Sequence, residues 1–343
     1  MRYILIDFEH EKGVQSDTTC LRDMFAFEGS DIPEAALFGL GEGLSFFYWE
    51  SKNLRRPTMG CRTGVLDLDK KACQSLGVEI RVRTSRSPKR AYGQMKKMLM
   101  DKMPVMMHVD SYYLNYAGKE QHNGAYSVIS TGVDEDSDIV FLADHRFDDI
   151  IELPISRLIE ARASLHKPFP PQHRWFEFSF PEEVNISTKC VIDSISANTI
   201  AMLNPQVRNV GVGGIYYLAN SIRLWRDLYS QKEVEDMCDE AYMTLYGDGL
   251  YPGCLRHLYA DFLSFAYEVT DIGSLKDVSE GYGEAGNMWT RAAKMFGEVK
   301  CGCVSLSEIA DAMTSIAEKE HQLQTELLCA VNLGCKRNGG GKK

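Results

Sequence analysis

An α+β fold is what this sequence predicts, on three observations. Residues 1 to about 165 mix strand-type alternation with helix-type periodicity. A proline-rich stretch at 166–173 interrupts both. Nearly everything beyond it reads helical, with apolar residues three to four apart. The chain's 343 residues exceed what one compact core usually holds. The expected division is a first domain over 1–165, a linker over 166–175, an all-helical domain over 176–335 and a disordered Gly/Lys-rich tail over 336–343.

Taken in order, the alternation in 1–9 predicts a short first strand, and its early acidic residues do not suit a signal peptide. A Ser/Thr/Asp cluster then opens a helix over 20–28, followed by a second over 33–40. Gly39, Gly41 and Gly43 lead into the aromatic run 46–49. Without a preceding strand, a third correctly spaced glycine or a following helix, they are not a dinucleotide fingerprint. Further signals predict helices over 67–76 and 88–103, each followed by a strand, at 78–82 and 104–109. The β-branched segment 125–133 and the segment 139–143 read as strands joined by the acidic turn 134–138. In the second half, helices are predicted over 192–203, 211–230, 231–246, 254–271, 275–297 and 305–333. Tyr217, Ile222, Leu224, Trp225 and Leu228 show the spacing.

Hydrophobic content of 44% and charged content of 25% are ordinary for a globular protein, and no apolar run is long enough for a membrane helix. A net charge of −10 argues against a nucleic-acid partner. Ten cysteines without a disulfide-framework spacing favour reduced thiols and a cytoplasmic setting. Cys301-Gly302-Cys303 has no second Cys/His pair to complete a metal site and reads as small residues in a turn. No metal is expected. Residues 81–102 are strongly basic. Arg86, Lys89, Arg90, Lys96 and Lys97 form either a solvated face or a docking patch for an acidic or phosphate-bearing partner.

One segment points to chemistry. Cys20 follows the Ser/Thr/Asp cluster and opens an apolar-periodic run of Leu21, Met24 and Phe25, which puts a thiol near a helix N-terminus. The positive end of a helix favours thiolate. Gln15, five residues upstream, is placed to stabilise an oxyanion. A nucleophile needs a base and an orienting group. His122 opens the best strand of the first domain, and Asp144 ends the neighbouring one. A hairpin puts the start of one strand opposite the end of the next, which makes the two neighbours. The order Gln15, Cys20, His122, Asp144 is that of papain-type enzymes. His10 is the second choice for the base, His108 reads as a core residue, and His145 is expected to point away from Asp144.

Residues 14–25, 33–46 and 110–116 with His122 resemble the N-terminal domain of the butirosin biosynthesis protein H family. Residues 255–263, Gly281-Tyr282 and Trp289 are similar to the helical domain that follows it in that family. The resemblance implies a papain-like, cysteine-protease-type N-terminal domain and an acyltransferase. Such an enzyme moves an acyl group from a carrier-protein thioester, held on phosphopantetheine, to an amine, with no bound cofactor of its own. Relatives that form amides in closthioamide assembly imply β-alanine-type acyl units. Many family members carry a His directly before the nucleophilic Cys, where this chain has Thr19. By carry-over, Cys20 is the nucleophile, His122 the base, Asp144 its orienter and Gln15 the oxyanion donor. Asp110, with Tyr112 and Tyr113, binds the incoming amine, and the aromatic run 46–49 helps to exclude water. Two alternatives stay open: a cysteine peptidase or amidase, and a non-catalytic carrier-protein-binding module.

Overall fold

The computed structural model describes residues 2–50, 56–117, 122–246 and 252–339. The chain forms two units: 1–37 with 65–185, and 38–64 with 186–343. In chain order the elements are β1 (Arg2–Ile4), α1 (Ser16–Phe27), α2 (Glu34–Leu40), β2 (Leu44–Trp49), β3 (Thr58–Arg62), α3 (Asp67–Ser75) and β4 (Glu79–Arg83). There follow α4 (Pro88–Met100), β5 (Val105–Val109), β6 (Tyr126–Asp134), β7 (Ile139–Ala143), β8 (Ile151–Pro154), α5 (Ile155–Ala163) and β9 (Trp175–Ser179). The rest is helical: α6 (Thr188–Leu203), α7 (Gly211–Leu228), α8 (Gln231–Leu245), α9 (Arg256–Thr270), α10 (Ser274–Glu298) and α11 (Leu306–Gly339).

The first unit is built on an antiparallel sheet in the order β4-β9-β5-β6-β7-β8, with β1 also on β6. β6 is its centre. One edge of β6 pairs with β7, and the other is shared by β5 over Tyr126–Ser130 and β1 over Gly132–Asp134. Every residue of β6 is buried because both faces are covered. Tyr126 and Val128 join Met95 and Leu99 of α4 and Leu158 of α5 in one apolar cluster. Ser127 faces the other way, where its hydroxyl donates to Asp17 of α1. α4 starts where Ser87 accepts from the Arg90 N–H and Pro88 fixes the first turn.

The chain divides differently from the expected boundaries. The proline-rich segment is not a free linker. A Cβ on Gly124 would lie 2.2 Å from the Phe169 carbonyl oxygen, and the Ser85 N–H donates to the Gln172 carbonyl. The segment thus lies on the first unit and feeds β9 into the sheet beside β4 and β5.

The second unit is not all-helical. The aromatic run 46–49 forms β2, which pairs with β3. Phe46 and Tyr48 are fully buried in the helical core, with Phe46 against Trp289 and the Tyr48 hydroxyl accepting from Trp225 Nε1. Phe46 and Tyr48 thus belong to the core of the second unit, while Trp49 is exposed. Backbone bonds pin the hairpin: the Tyr48 N–H donates to the Asn209 carbonyl, and Asn198 Nδ2 donates to the Leu44 carbonyl. Gly39 is glycine because a Cβ there would fall 2.0 Å from the Phe262 ring. The fully buried Arg256 and Glu320 pair at 2.7 Å. Arg256 Nη1 also donates to the carbonyls of Ser45, Cys61 and Cys254, and Trp289 Nε1 donates to Glu320.

Cys61 and Cys254 form a disulfide across 193 residues, so the expectation of uniformly reduced thiols does not hold. The helix α11 continues through 336–339, which were expected to be disordered, while 340–343 lie outside the described residues. No helix among the described residues is long and apolar enough to cross a membrane.

Candidate active site

The residue that opens α1 is Ser16, and Cys20 is one turn deeper, where the helix dipole has little hold. Cys20 is 2% exposed. Burial pushes its thiol well above the ordinary value, and the carboxylates of Asp23, Asp17, Asp144 and Asp69 add to the effect. Both effects work against the expected thiolate.

Gln15 is engaged in the fold. Its Oε1 accepts from the Thr18 N–H at 2.8 Å, capping α1, and its Nε2 donates to Asp17. Glu34 takes the N–H groups of Val14 and Gln15 and the hydroxyls of Thr18 and Thr19. With these donors occupied and two carboxylates beside them, an oxyanion finds repulsion here. Gln15 caps α1. Gln15→Ala is expected to lower stability by about 1 kcal/mol, read as a lower denaturant midpoint, with Cys20 no more reactive toward iodoacetamide than before.

His122 belongs to a different cluster. Its Nδ1 lies 2.7 Å from Asp110 Oδ2. The sheet register explains this pairing. Val109 of β5 faces Tyr126 of β6, so the chain just after β5 meets the chain just before β6, and the Ser111 N–H donates to the Asn123 carbonyl. Asp110 is fully buried and also accepts from the Ser164 hydroxyl at 2.6 Å and from the N–H groups of Tyr112 and Asn123. Burial alone would raise the Asp110 carboxyl, but Ser164, His122 and the Tyr112 N–H outweigh it and hold the group below the usual range. Asp110 is therefore an ionised orienter of His122, where an amine-binding role was expected. The imidazole is stacked between Tyr112, at 4.1 Å, and His166, at 3.9 Å, with Tyr113 edge-on. Its side chain is 27% exposed. Neither the Cys20 sulfur nor Asp144 is among its partners in the described residues.

Asp144 was expected to orient His122, and the register shows why it does not. β6 begins at Tyr126, four residues after His122, and the hairpin brings Tyr126 to Asp144 instead: its hydroxyl donates to Asp144 Oδ1 at 2.6 Å. Arg146 donates to both Asp144 oxygens and lies over the rings of Tyr126, Tyr116 and Phe147. Burial works to raise the Asp144 carboxyl, and Arg146, His145 and Tyr126 overcome it and lower the group. His145, expected to point away, has Nδ1 only 3.0 Å from the Tyr126 hydroxyl. His10 is committed too, with Nδ1 at 2.6 Å from Asp23 and Nε2 at 3.3 Å from the Asp144 carbonyl.

Burial pushes His145 down to about 4, with Arg146 and His10 acting in the same direction against Asp144 and Asp17. The unfolded chain takes up that proton near 6.5, so the stability present above about 6.5 is lost as pH falls toward 4, by about 3 kcal/mol in full. Denaturant midpoints across that window are expected to fall for the native chain and to flatten in His145→Asn. Asp144, also lowered, adds its own loss only below the ordinary carboxylate range.

Asp17, Asp69 and His108 bring ligand-type atoms within 4.8 Å of one another, all buried. Arg174 Nη1 lies 2.7 Å from His108 Nδ1. A guanidinium only donates, so Nδ1 accepts and the ring proton sits on Nε2. Of the expected docking residues, Lys96 is paired to Glu135 at 2.6 Å. Arg86, Lys89, Arg90 and Lys97 are exposed and form no ion pair among the described residues. Sequence reasoning missed Glu34, Ser164, Tyr126 and Arg146. Counting back from the acidic turn sets Ile129 opposite Ala143 and so brings Asp144 to Val128, with Tyr126 two residues on along the same face and His122 well beyond it.

The family model for the N-terminal domain of butirosin biosynthesis protein H matches residues 15–145, and a domain of unknown function, DUF4872, matches 156–327. No curated protein matches the chain. Together the two matches run through both units, and the chain belongs to the butirosin biosynthesis protein H family, which is linked to the biosynthesis of natural products.

Proposed function

We propose that the protein forms amides by direct acyl transfer, with the Asp110–His122 pair as general base and no acyl-cysteine intermediate. The observation that carries this reading is His122 itself. A fully buried carboxylate holds its Nδ1, which fixes the tautomer and leaves Nε2 as the acceptor on a side chain that is 27% exposed. An acyl thioester on the phosphopantetheine arm of a carrier protein meets a primary amine. His122 Nε2 takes a proton from the amine as its nitrogen attacks the thioester carbonyl. The C–N bond forms, the C–S bond breaks, and the imidazolium returns the proton to the departing thiolate. Tyr112 and Tyr113 flank the ring and form the wall against which the amine sits. The exposed Arg86, Lys89, Arg90 and Lys97 offer an acidic carrier protein its seat.

The raised Cys20 thiol and the engaged Gln15 side chain weigh against the peptidase or amidase alternative, which needs the thiolate. They favour, as a second reading, a carrier-protein-binding module without chemistry of its own. Incubation with a β-alanyl carrier thioester and a primary amine distinguishes them. Amide that depends on His122 supports transfer, free acid supports hydrolysis, and unchanged thioester supports binding alone.

A further inference from the structure

The turn between α10 and α11 carries Cys301-Gly302-Cys303, and all three residues are exposed. Gly302 is in the left-handed region at φ 72°, which lets the chain reverse within one residue and leaves open space where a side chain would be. The turn is braced on both sides. The Gly302 N–H donates to the Val299 carbonyl, and Ser305 with Glu308 form a reciprocal cap at the start of α11. Among the other free cysteines of the described residues, Cys20, Cys73 and Cys238 are buried, Cys190 has no cysteine near it in the sequence, and Cys329 is six residues from Cys335. No other pair of exposed thiols is two residues apart among the described residues.

We propose that Cys301 and Cys303 are a redox-active surface dithiol that closes to an intramolecular disulfide by exchange with a small disulfide of the glutathione class. The two thiols are not equivalent. The Cys301 thiol donates to the Glu298 carbonyl at 3.0 Å and the Cys303 thiol to the Cys301 carbonyl at 4.0 Å, and the neighbouring Cys303 lowers the Cys301 thiol, against Glu298, while Cys301 raises Cys303. Cys301 is thus the attacking thiolate and Cys303 the reserve. Cys301 attacks one sulfur of oxidised glutathione, that S–S bond breaks, and a glutathione thiolate leaves. The charge that held the Cys303 proton is then gone. Cys303 releases its proton to solvent, its sulfur attacks that of Cys301, and a second glutathione thiolate departs. Two electrons have passed from the dithiol to oxidised glutathione, and the thiol protons end on the two glutathiones.

The test is equilibration of the full chain in glutathione redox buffers, followed by acid quench, iodoacetamide and tryptic mass mapping without reduction. Cleavage after Lys300 and Lys319 puts both cysteines, and no other, in the peptide 301–319. The expected result is that this peptide becomes unalkylated and lighter by two hydrogens while the Cys190 and Cys329 peptides are still alkylated. In Cys303→Ser, a glutathione adduct on Cys301 is expected to accumulate. A peptide that stays doubly alkylated as long as the Cys190 and Cys329 peptides, or a lasting glutathione adduct in the native chain, overturns loop closure. Absence of the adduct in Cys303→Ser overturns attack by Cys301.

Discussion

Replacing His122 by alanine is expected to slow amide formation by about 10²- to 10⁴-fold, the range a positioned general base contributes. Cys20→Ala is expected to leave the rate essentially unchanged. The contrast follows from placement. Burial and four carboxylates push the Cys20 thiol up, whereas His122 is held by Asp110, whose carboxyl is lowered, and keeps 27% of its side chain exposed. Single-turnover assays with a preloaded carrier read both variants on one scale. Asp110→Asn separates base from orienter: it is expected to lower the rate and shift its pH profile, because an amide no longer fixes the imidazole tautomer. Equal, small effects of all three substitutions on amide formation would contradict base catalysis by His122.

The second large effect is on stability. Glu320→Ala leaves Arg256 buried at 0% exposure with no carboxylate partner, and also removes the acceptor of Trp289 Nε1. Breaking a buried pair from one side costs about 3–5 kcal/mol, which is expected as a lower unfolding midpoint. The double replacement Arg256→Met with Glu320→Leu is expected to recover much of the loss, because it removes both charges together. Arg256 also donates to the Ser45, Cys61 and Cys254 carbonyls, so the recovery is expected to be incomplete.

Local signals made much of the fold legible. α3, α4 and the helices of the second half follow apolar spacing that only a helix can bury on one face, and β6 follows its run of β-branched residues. What could not be read was non-local. β9 joins β4 and β5 from far along the chain, and Cys61 reaches Cys254 across 193 residues. No short-range pattern encodes either pairing. The hairpin argument for the candidate site was sound as geometry but was started from the wrong residue. The register carries Asp144 to Val128, from which the Tyr126 hydroxyl is two residues along the same face, and the pairing of β5 with β6 sets Asp110 beside His122. The state of Cys20 was hidden for another reason. A thiol near a helix N-terminus suggests thiolate, but the carboxylates that reverse this arrive from α3 and the end of β7 as well as from α1 itself.

Intact-protein mass spectrometry during turnover tests the direct-transfer mechanism most sharply. The protein is mixed with a β-alanyl carrier thioester and sampled before and after addition of the amine. The account predicts amide product with no acyl mass on the protein at any time. An acyl adduct that maps to Cys20, forms before the amine is added and decays as amide appears would contradict it.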